Sequence, residues 1–194
     1  MTENNHMTKV GLVQINNSFS GQNYLPLSIG VLQAYSQRYL QSPGAYQFLI
    51  PIYRRIAVDD AVNQLSEAEV AFFSTYSWNI RISLEIAKTL KRNSPDTLIV
   101  FGGPQVPDKV EGFLRENPFI DLVSHGEGEQ TGAAILETRS SSNWEQVPGI
   151  SYLNDKSGLV RNEKSPRMQE LSNYPSPYLD GVFAQLMEAN PNET

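Results

Sequence analysis

The stretch EVAFFSTYSWNIRISLEIAKTLKRNSPDTLIVFGG, residues Glu69 to Gly103, decides the fold. Glu69–Thr75 and Thr97–Phe101 are short runs rich in Val, Ile and Phe, and such runs bounded by turn residues read as buried strands. The segment between them, Ile80–Arg92, reads as a helix. A strand, a helix and a strand in that order predict two parallel strands joined by a right-handed crossover.

Working outward, the same unit recurs. Upstream, Lys9–Asn17 reads as a strand, Ser18–Asn23 as a polar loop, and Pro26 opens a helix carrying Leu27, Val31, Leu32, Ala34, Tyr35 and Tyr39 at near-helical spacing. Tyr46–Tyr53 is a second strand and Ala57–Leu65 a short helix. Downstream come a helix from Pro107 to Glu116, a strand Ile120–Ser124 and a helix Gly128–Thr138. Five such units predict a flavodoxin-like or Rossmann-like α/β fold: an open, five-stranded, mainly parallel sheet with helices on both faces. In such sheets ligands bind outside the carboxyl ends of the strands.

The rhythm changes after Ser140. Gly149–Leu153, a polar turn Asn154–Gly158 and Leu159–Asn162 predict a β-hairpin that adds to the sheet edge or folds over it. Lys164–Thr194 is a Pro-rich connector containing Tyr174-Pro-Ser-Pro-Tyr178, with one short helical stretch at Val182–Met187. The expected organisation is a disordered start at 1–8, an α/β domain at 9–140, and a hairpin and connector at 141–194.

Composition narrows the function. The chain has 194 residues, 40% hydrophobic and 19% charged, with a formal charge of −6, which fits one folded domain and argues against disorder. No basic run is present, so nucleic acid is not expected as a partner. The polar N-terminus and the want of an apolar stretch of about 20 residues predict neither a signal peptide nor a membrane span, hence a cytoplasmic place. With no cysteine, these residues offer no disulfide and no thiolate ligands for an iron–sulfur cluster.

Four loops at the expected carboxyl rim carry the unusual residues: Asn16–Asn23, Ser74–Asn79, Gly102–Val106 and Gly126–Glu129. Glycines there permit positive φ and close approach of a ligand to the backbone. Gly102-Gly103-Pro104 and Gly126-Glu127-Gly128-Glu129 are equally read as tight strand-to-helix turns, and the second opens a helix whose N-terminus favours anions and acceptors. Glu127 and Glu129 are either an acid/base pair or acidic residues suited to a first helical turn. Tyr76 and Trp78 are either covered by a flat ligand or packed under a neighbouring loop. His125, the one histidine inside the expected fold, is read as hydrogen-bonded rather than as a ligand or base.

Together Asn16-Asn-Ser18-Phe-Ser-Gly21, Ser74-Thr75-Tyr76-Ser-Trp78-Asn79, Gly102-Gly103-Pro104-Gln105 and Gly126-Glu127-Gly128-Glu129 resemble the cobalamin-binding domain of cobalamin-dependent radical SAM proteins of the methyltransferase-like class. The resemblance runs from about Lys9 to the last residue and includes the Gly149-Ile-Ser-Tyr152 hairpin and the Tyr174–Tyr178 stretch. It implies that these residues bind cobalamin, with Ser74, Gly102 and Gly103 beside the dimethylbenzimidazole tail. Ser18–Asn23 and the backbone of Gly126–Glu129 would hold the corrin side chains.

Methionine-synthase-type domains carry Asp-x-His-x-x-Gly after the first strand, and Asn16, Ser18 and Gly21 map onto it. Ser18 thus stands where the cobalt-ligating histidine would be, and a hydroxyl is a poor replacement for imidazole. The resemblance implies base-off cobalamin without a protein histidine, its lower face approached by Trp78 first and Tyr76 second. The cysteine loop that opens the radical SAM half is absent, so the chain is expected to be a fragment, an isolated domain or a split partner. It would not be catalytic alone, and the iron–sulfur cluster and S-adenosylmethionine would belong to a radical SAM domain in cis or in trans. Gly132 is expected to weaken helix packing. The rival readings are a flavodoxin-like flavin or nucleotide binder, against which stands the lack of a Gly-x-Gly-x-x-Gly or P-loop pattern, and a ligand-free interaction domain.

Overall fold

The computed structural model describes residues 6–189; the extreme ends of the expected disordered start and of the connector lie outside them. Five parallel strands form the centre: β1 (Thr8–Val13), β4 (Tyr46–Phe48), β5 (Val70–Ser74), β6 (Leu98–Gly102) and β7 (Leu122–Ser124). Their spatial order is β4-β1-β5-β6-β7. The order in which strands are added therefore reverses between β1 and β5, the arrangement that places a ligand crevice at the carboxyl ends.

The hairpin β8 (Ile150–Leu153) and β9 (Leu159–Arg161) adds antiparallel to β7 and extends the sheet to seven strands. The five-stranded expectation thus holds for the parallel part, and the hairpin takes the edge position. Expected strand bounds were too long at both ends of the chain's first half: Tyr46–Tyr53 is a strand only to Phe48, followed by an isolated bridge between Ile52 and Val13. Pro51 interrupts the ladder there, because proline has no N–H to donate. The loop after β1 folds into a small hairpin, β2 (Ser18–Phe19) with β3 (Gln22–Asn23), turning at Ser20 and Gly21, both at positive φ.

Period-2 alternation along the strands divides the core into two layers. Val13, Ala71, Phe73, Ile99, Phe101 and Val123 face α2 (Val58–Gln64), α3 (Ile80–Asn93) and α4 (Val110–Glu116). Val10, Leu12, Val70, Phe72, Val100 and Leu122 face α1 (Leu27–Tyr39) and α5 (Gly128–Thr138). A third cluster docks the C-terminal segment: Phe183, 1% exposed, enters a socket with Leu25 and Tyr53 just before α6 (Ala184–Ala189). Gly30 on α1 makes that socket, since a Cβ there would collide with the Phe183 ring.

Candidate functional site

The site begins where the alternation on the α1/α5 face stops being apolar. After Val70 and Phe72 on β5 the next residue on that face is Ser74; after Leu98 and Val100 on β6 it is Gly102; after Leu122 on β7 it is Ser124. Ser74 pairs with Gly102 and Phe101 with Val123, so Ser74, Gly102 and Ser124 form one row across three strands. The row opens a cavity of about 230 Å³ between the sheet, α1 and α5. Ser28 and Leu32 cover it from α1, one helical turn apart, and Gly128, Gly132 and Ile135 cover it from α5.

Tyr76, Gly103, Pro104, Gly126 and Glu127 surround the cavity's mouth. Gly103 holds φ +97°, and a Cβ on it would lie 2.7 Å from the Thr75 carbonyl oxygen; glycine alone fits. Thr75 locks the same corner, its N–H and its hydroxyl each donating to the Gly102 carbonyl at 2.8 Å, while the Gln105 N–H donates to the Thr75 carbonyl at 3.2 Å. Asn79 is fully buried and stitches the loop after β5: its amide donates to the Ile15 and Ser74 carbonyls, and its Oδ1 accepts from the Tyr76 N–H at 2.8 Å. Thr75, Asn79 and Gln105 thus shape the rim and do not line the cavity.

Tyr76 and Trp78 stack at 4.6 Å between ring centres and 10° between planes. Tyr76 lies 2.7 Å from the Ser28 hydroxyl and lines the cavity. Trp78 is the outer plate, 44% exposed, its indole N–H donating to the Ile15 carbonyl at 3.2 Å. Asn16 and Ser18 lie elsewhere on the rim, in a polar depression shared with Asn23, Arg54 and Arg55. Gly21 occupies the tip of the β2–β3 hairpin and touches neither opening. Behind them the buried Gln14 side chain accepts from the Ile29 N–H in the first turn of α1 and donates to Asn16 Oδ1, each at 3.3 Å. That bond satisfies one of the free N–H groups every helix start leaves.

The two carboxyls at the start of α5 have separate fates. Glu127 is exposed; it accepts from the Tyr174 hydroxyl at 2.7 Å and the Met168 N–H at 3.2 Å, bonds that lower its pKa. Burial pushes the Glu129 carboxyl up, against hydrogen bonds from the local backbone. Glu127 is therefore committed to the connector, and Glu129 stands in the cavity wall. His125 is buried, its Nε2 lies 2.9 Å from the Ser151 hydroxyl, and burial with the nearby Arg161 and Lys164 charges lowers its pKa to about 4. It is a neutral, hydrogen-bonded histidine at neutral pH, as its position at a strand end suggested. Among the described residues no group of three or more His, Cys, Asp or Glu side chains is placed to hold a metal ion, and no helix is long and apolar enough to cross a membrane.

Ser28, Leu32, Ser124 and Gly132 belong to the cavity yet were absent from the sequence-derived site. For Ser124 a signal existed: Phe72-x-Ser74, Val100-x-Gly102 and Leu122-x-Ser124 each end an apolar alternation on a small residue. The helix residues carried no such mark, because which helical face meets the sheet end depends on packing.

Comparison with known proteins gives concordant results. Residues 50–136 match the B12 binding domain family. A cobalamin-dependent radical SAM methyltransferase, TokK of Streptomyces tokunonensis, is 35% identical over 162 residues, covering 82% of this chain and 24% of that protein. The 2-(S-pantetheinyl)-carbapenam-3-carboxylate methyltransferase of Streptantibioticus cattleyicolor is 32% identical over 164 residues, with 82% of this chain and 24% of that protein covered. The chain thus spans about a quarter of the length of these relatives. Among solved structures, the cobalamin-dependent S-adenosylmethionine radical enzyme OxsB, with aqua-cobalamin and S-adenosylmethionine bound, superposes with a TM-score of 0.72 at 20% identity, covering 92% of this chain and 25% of that one. The radical S-adenosylmethionine methyltransferase TsrM from Kitasatospora setae, with cobalamin and a 4Fe–4S cluster bound, gives a TM-score of 0.59 at 16% identity over 88% of this chain and 31% of that one. At these identities the structural likeness establishes the fold.

Proposed function

We propose that this chain, whose residues 50–136 match the B12-binding domain and which is homologous to cobalamin-dependent radical SAM methyltransferases over the region of that domain, binds cobalamin at its carboxyl rim and presents the corrin to a radical SAM domain for methyl transfer. The observation that carries the reading is the cavity over Ser74, Gly102 and Ser124. Its volume of about 230 Å³ exceeds the ~150 Å³ that suffices for a benzene ring. Its lower walls are apolar, formed by Phe72, Val100 and Ile135. The residues present fit a planar heteroaromatic base.

In this reading the cofactor's tail lies beside Ser74, Gly102 and Gly103 with its base detached from cobalt, and Tyr76 borders it. Trp78 offers its exposed plate to the corrin's lower face without coordinating. Ser18 is exposed and lines the separate depression with Asn16, which agrees with a lower face free of protein ligand. Gly126 and Gly128 leave the backbone open to corrin amides: a Cβ on Gly128 would meet nothing within 4 Å. Thr75, Asn79, Pro104 and Gln105 keep the rim in shape. Cobalamin would supply a transferable methyl group, and the ligand set tunes the cobalt. Residues 9–140 would form the binding unit and 141–194 the β-hairpin and connector toward the radical SAM domain, which would hold the iron–sulfur cluster and S-adenosylmethionine.

The test is an absorption titration of the purified chain with hydroxocobalamin. Binding with a base-off spectrum that persists in His6→Ala and His125→Gln is expected. No binding overturns the reading, and a spectrum that changes with either histidine overturns the ligand-free lower face.

A further inference from the structure

The stacked aromatic pair at the rim is anchored by a residue that belongs to none of the rim loops. Ser28, in the first turn of α1, has its hydroxyl 2.7 Å from the Tyr76 hydroxyl, which ties the loop after β5 to the helix that covers the cavity. That helix start is itself fixed, because the adjacent Ile29 N–H donates to the Gln14 side chain just past β1 at 3.3 Å. Tyr76 is thus held at both ends, its N–H by Asn79 Oδ1 at 2.8 Å and its hydroxyl by Ser28. Its ring backs the Trp78 ring at 4.6 Å and 10°, a separation at which aromatic pairs attract. The remaining bonds of Trp78 hold an edge and the main chain: the indole N–H donates to the Ile15 carbonyl, and Arg55 donates to the Trp78 carbonyl at 2.9 Å. Neither bears on the face of the ring, so the tilt of this 44% exposed plate is set by Tyr76 behind it.

We propose that Ser28 is a positioning residue for the corrin's lower face: its hydroxyl fixes Tyr76, and the stacked Tyr76 ring sets the angle of a Trp78 plate that keeps axial ligands off the cobalt. The proposal rests on the reading that Trp78 faces the lower side of a bound corrin. It assigns control of that face to a hydroxyl on α1 that touches neither the corrin nor Trp78 and acts through one hydrogen bond and one aromatic stack.

Cyanide reads the lower face directly. Base-off cobalamin with cobalt(III) takes cyanide on either face, and the form with two cyanides differs in absorption from the form with one. The first is expected on the open upper face; the second must reach the face that Trp78 covers. The purified chain and its variants, each saturated with hydroxocobalamin, are titrated with cyanide, alongside thermal unfolding without ligand. In the unaltered chain the second cyanide is expected to bind more weakly than it does to free cobinamide. Trp78→Ala is expected to tighten it about tenfold or more. Ser28→Ala and Tyr76→Phe are each expected to tighten it about fivefold, the scale of one hydrogen bond. Because both remove the same contact, the double variant is expected to go no further than either alone. Ser28→Thr keeps a hydroxyl and is expected to restore the unaltered value, a rescue that a general loss of stability would not show.

An unchanged second cyanide in Ser28→Ala, beside a tightened one in Trp78→Ala, overturns the positioning role and leaves the lower face as read. Additive tightening in the double variant overturns it as well. A second cyanide that binds the unaltered chain as freely as cobinamide, with no change in Trp78→Ala, overturns the Trp78 plate and the role of Ser28 with it. Failure of the unaltered chain to bind hydroxocobalamin overturns the functional reading itself.

Discussion

On the face covered by α2, α3 and α4 the strands stay apolar to their last inward residue: Phe73 and Phe101 stack at 4.9 Å and close the layer with Val123. On the face covered by α1 and α5 the alternation ends one residue later on Ser74, Gly102 and Ser124, and a cavity replaces the closing layer. The same strands build both faces. The difference lies in one row of side chains, and it teaches that one face closes its packing while the other gives part of it up for a cavity.

The largest test of that contrast is Phe101→Ala, which removes a fully buried ring from the packed face and is expected to cost about 3–5 kcal/mol in urea unfolding. A loss below ~1 kcal/mol would break the contrast. The next concerns the seam where β7 meets the hairpin. His125 has a folded pKa of about 4 against 6.5 for the free side chain, so the unfolded chain takes up the proton first. Stability from the neutral ring is complete above pH 6.5 and drains as pH falls toward 4, by at most about 3 kcal/mol. His125→Gln is expected to flatten that part of the stability profile.

A smaller effect is expected on the open face. Ser124→Ala is expected to leave the stability of the chain without ligand unchanged or raise it by up to about 1 kcal/mol, since it deletes a buried hydroxyl that lacks a partner. A loss above ~1 kcal/mol in thermal unfolding would mean that the hydroxyl is satisfied within the protein. The smallest concerns the connector, which crosses the open face. Tyr174 binds Glu127, and its ring approaches Tyr35 at 6.3 Å between ring centres. Tyr39 donates to the Asn173 carbonyl at 3.0 Å. These bonds are exposed, so Tyr174→Phe is expected to cost less than about 1 kcal/mol and to be read as faster limited proteolysis between residues 164 and 178.

Much of this was legible in advance. The strand runs flanking Ile80–Arg92, the helix at Gly128–Thr138 and the glycines at 103 and 126 were readable because each reports a local constraint: period-2 burial, a helix start, a backbone at positive φ. Ser74, Tyr76, Gly102, Gly103, Pro104 and the Gly126–Glu129 loop do come together around one opening. Trp78 sits outside the cavity on the loop after β5, stacked on Tyr76, and Asn16 and Ser18 line a separate depression set by how the loop after β1 folds. Gln14 was invisible as a helix partner because its bond to Ile29 spans a loop whose path no local pattern fixes.

The sequence by itself determined the alternation of strands and helices, the two-sided core and the loops that end at the carboxyl rim, since those follow from side-chain periodicity and backbone conformation over a few residues. Only the tertiary structure decided that Ser28, Ser74, Gly102, Ser124 and Gly132, spread over more than half the chain, enclose a single cavity. Strand register aligns the three sheet positions and helix packing sets the other two above them, and both are fixed by contacts between distant segments.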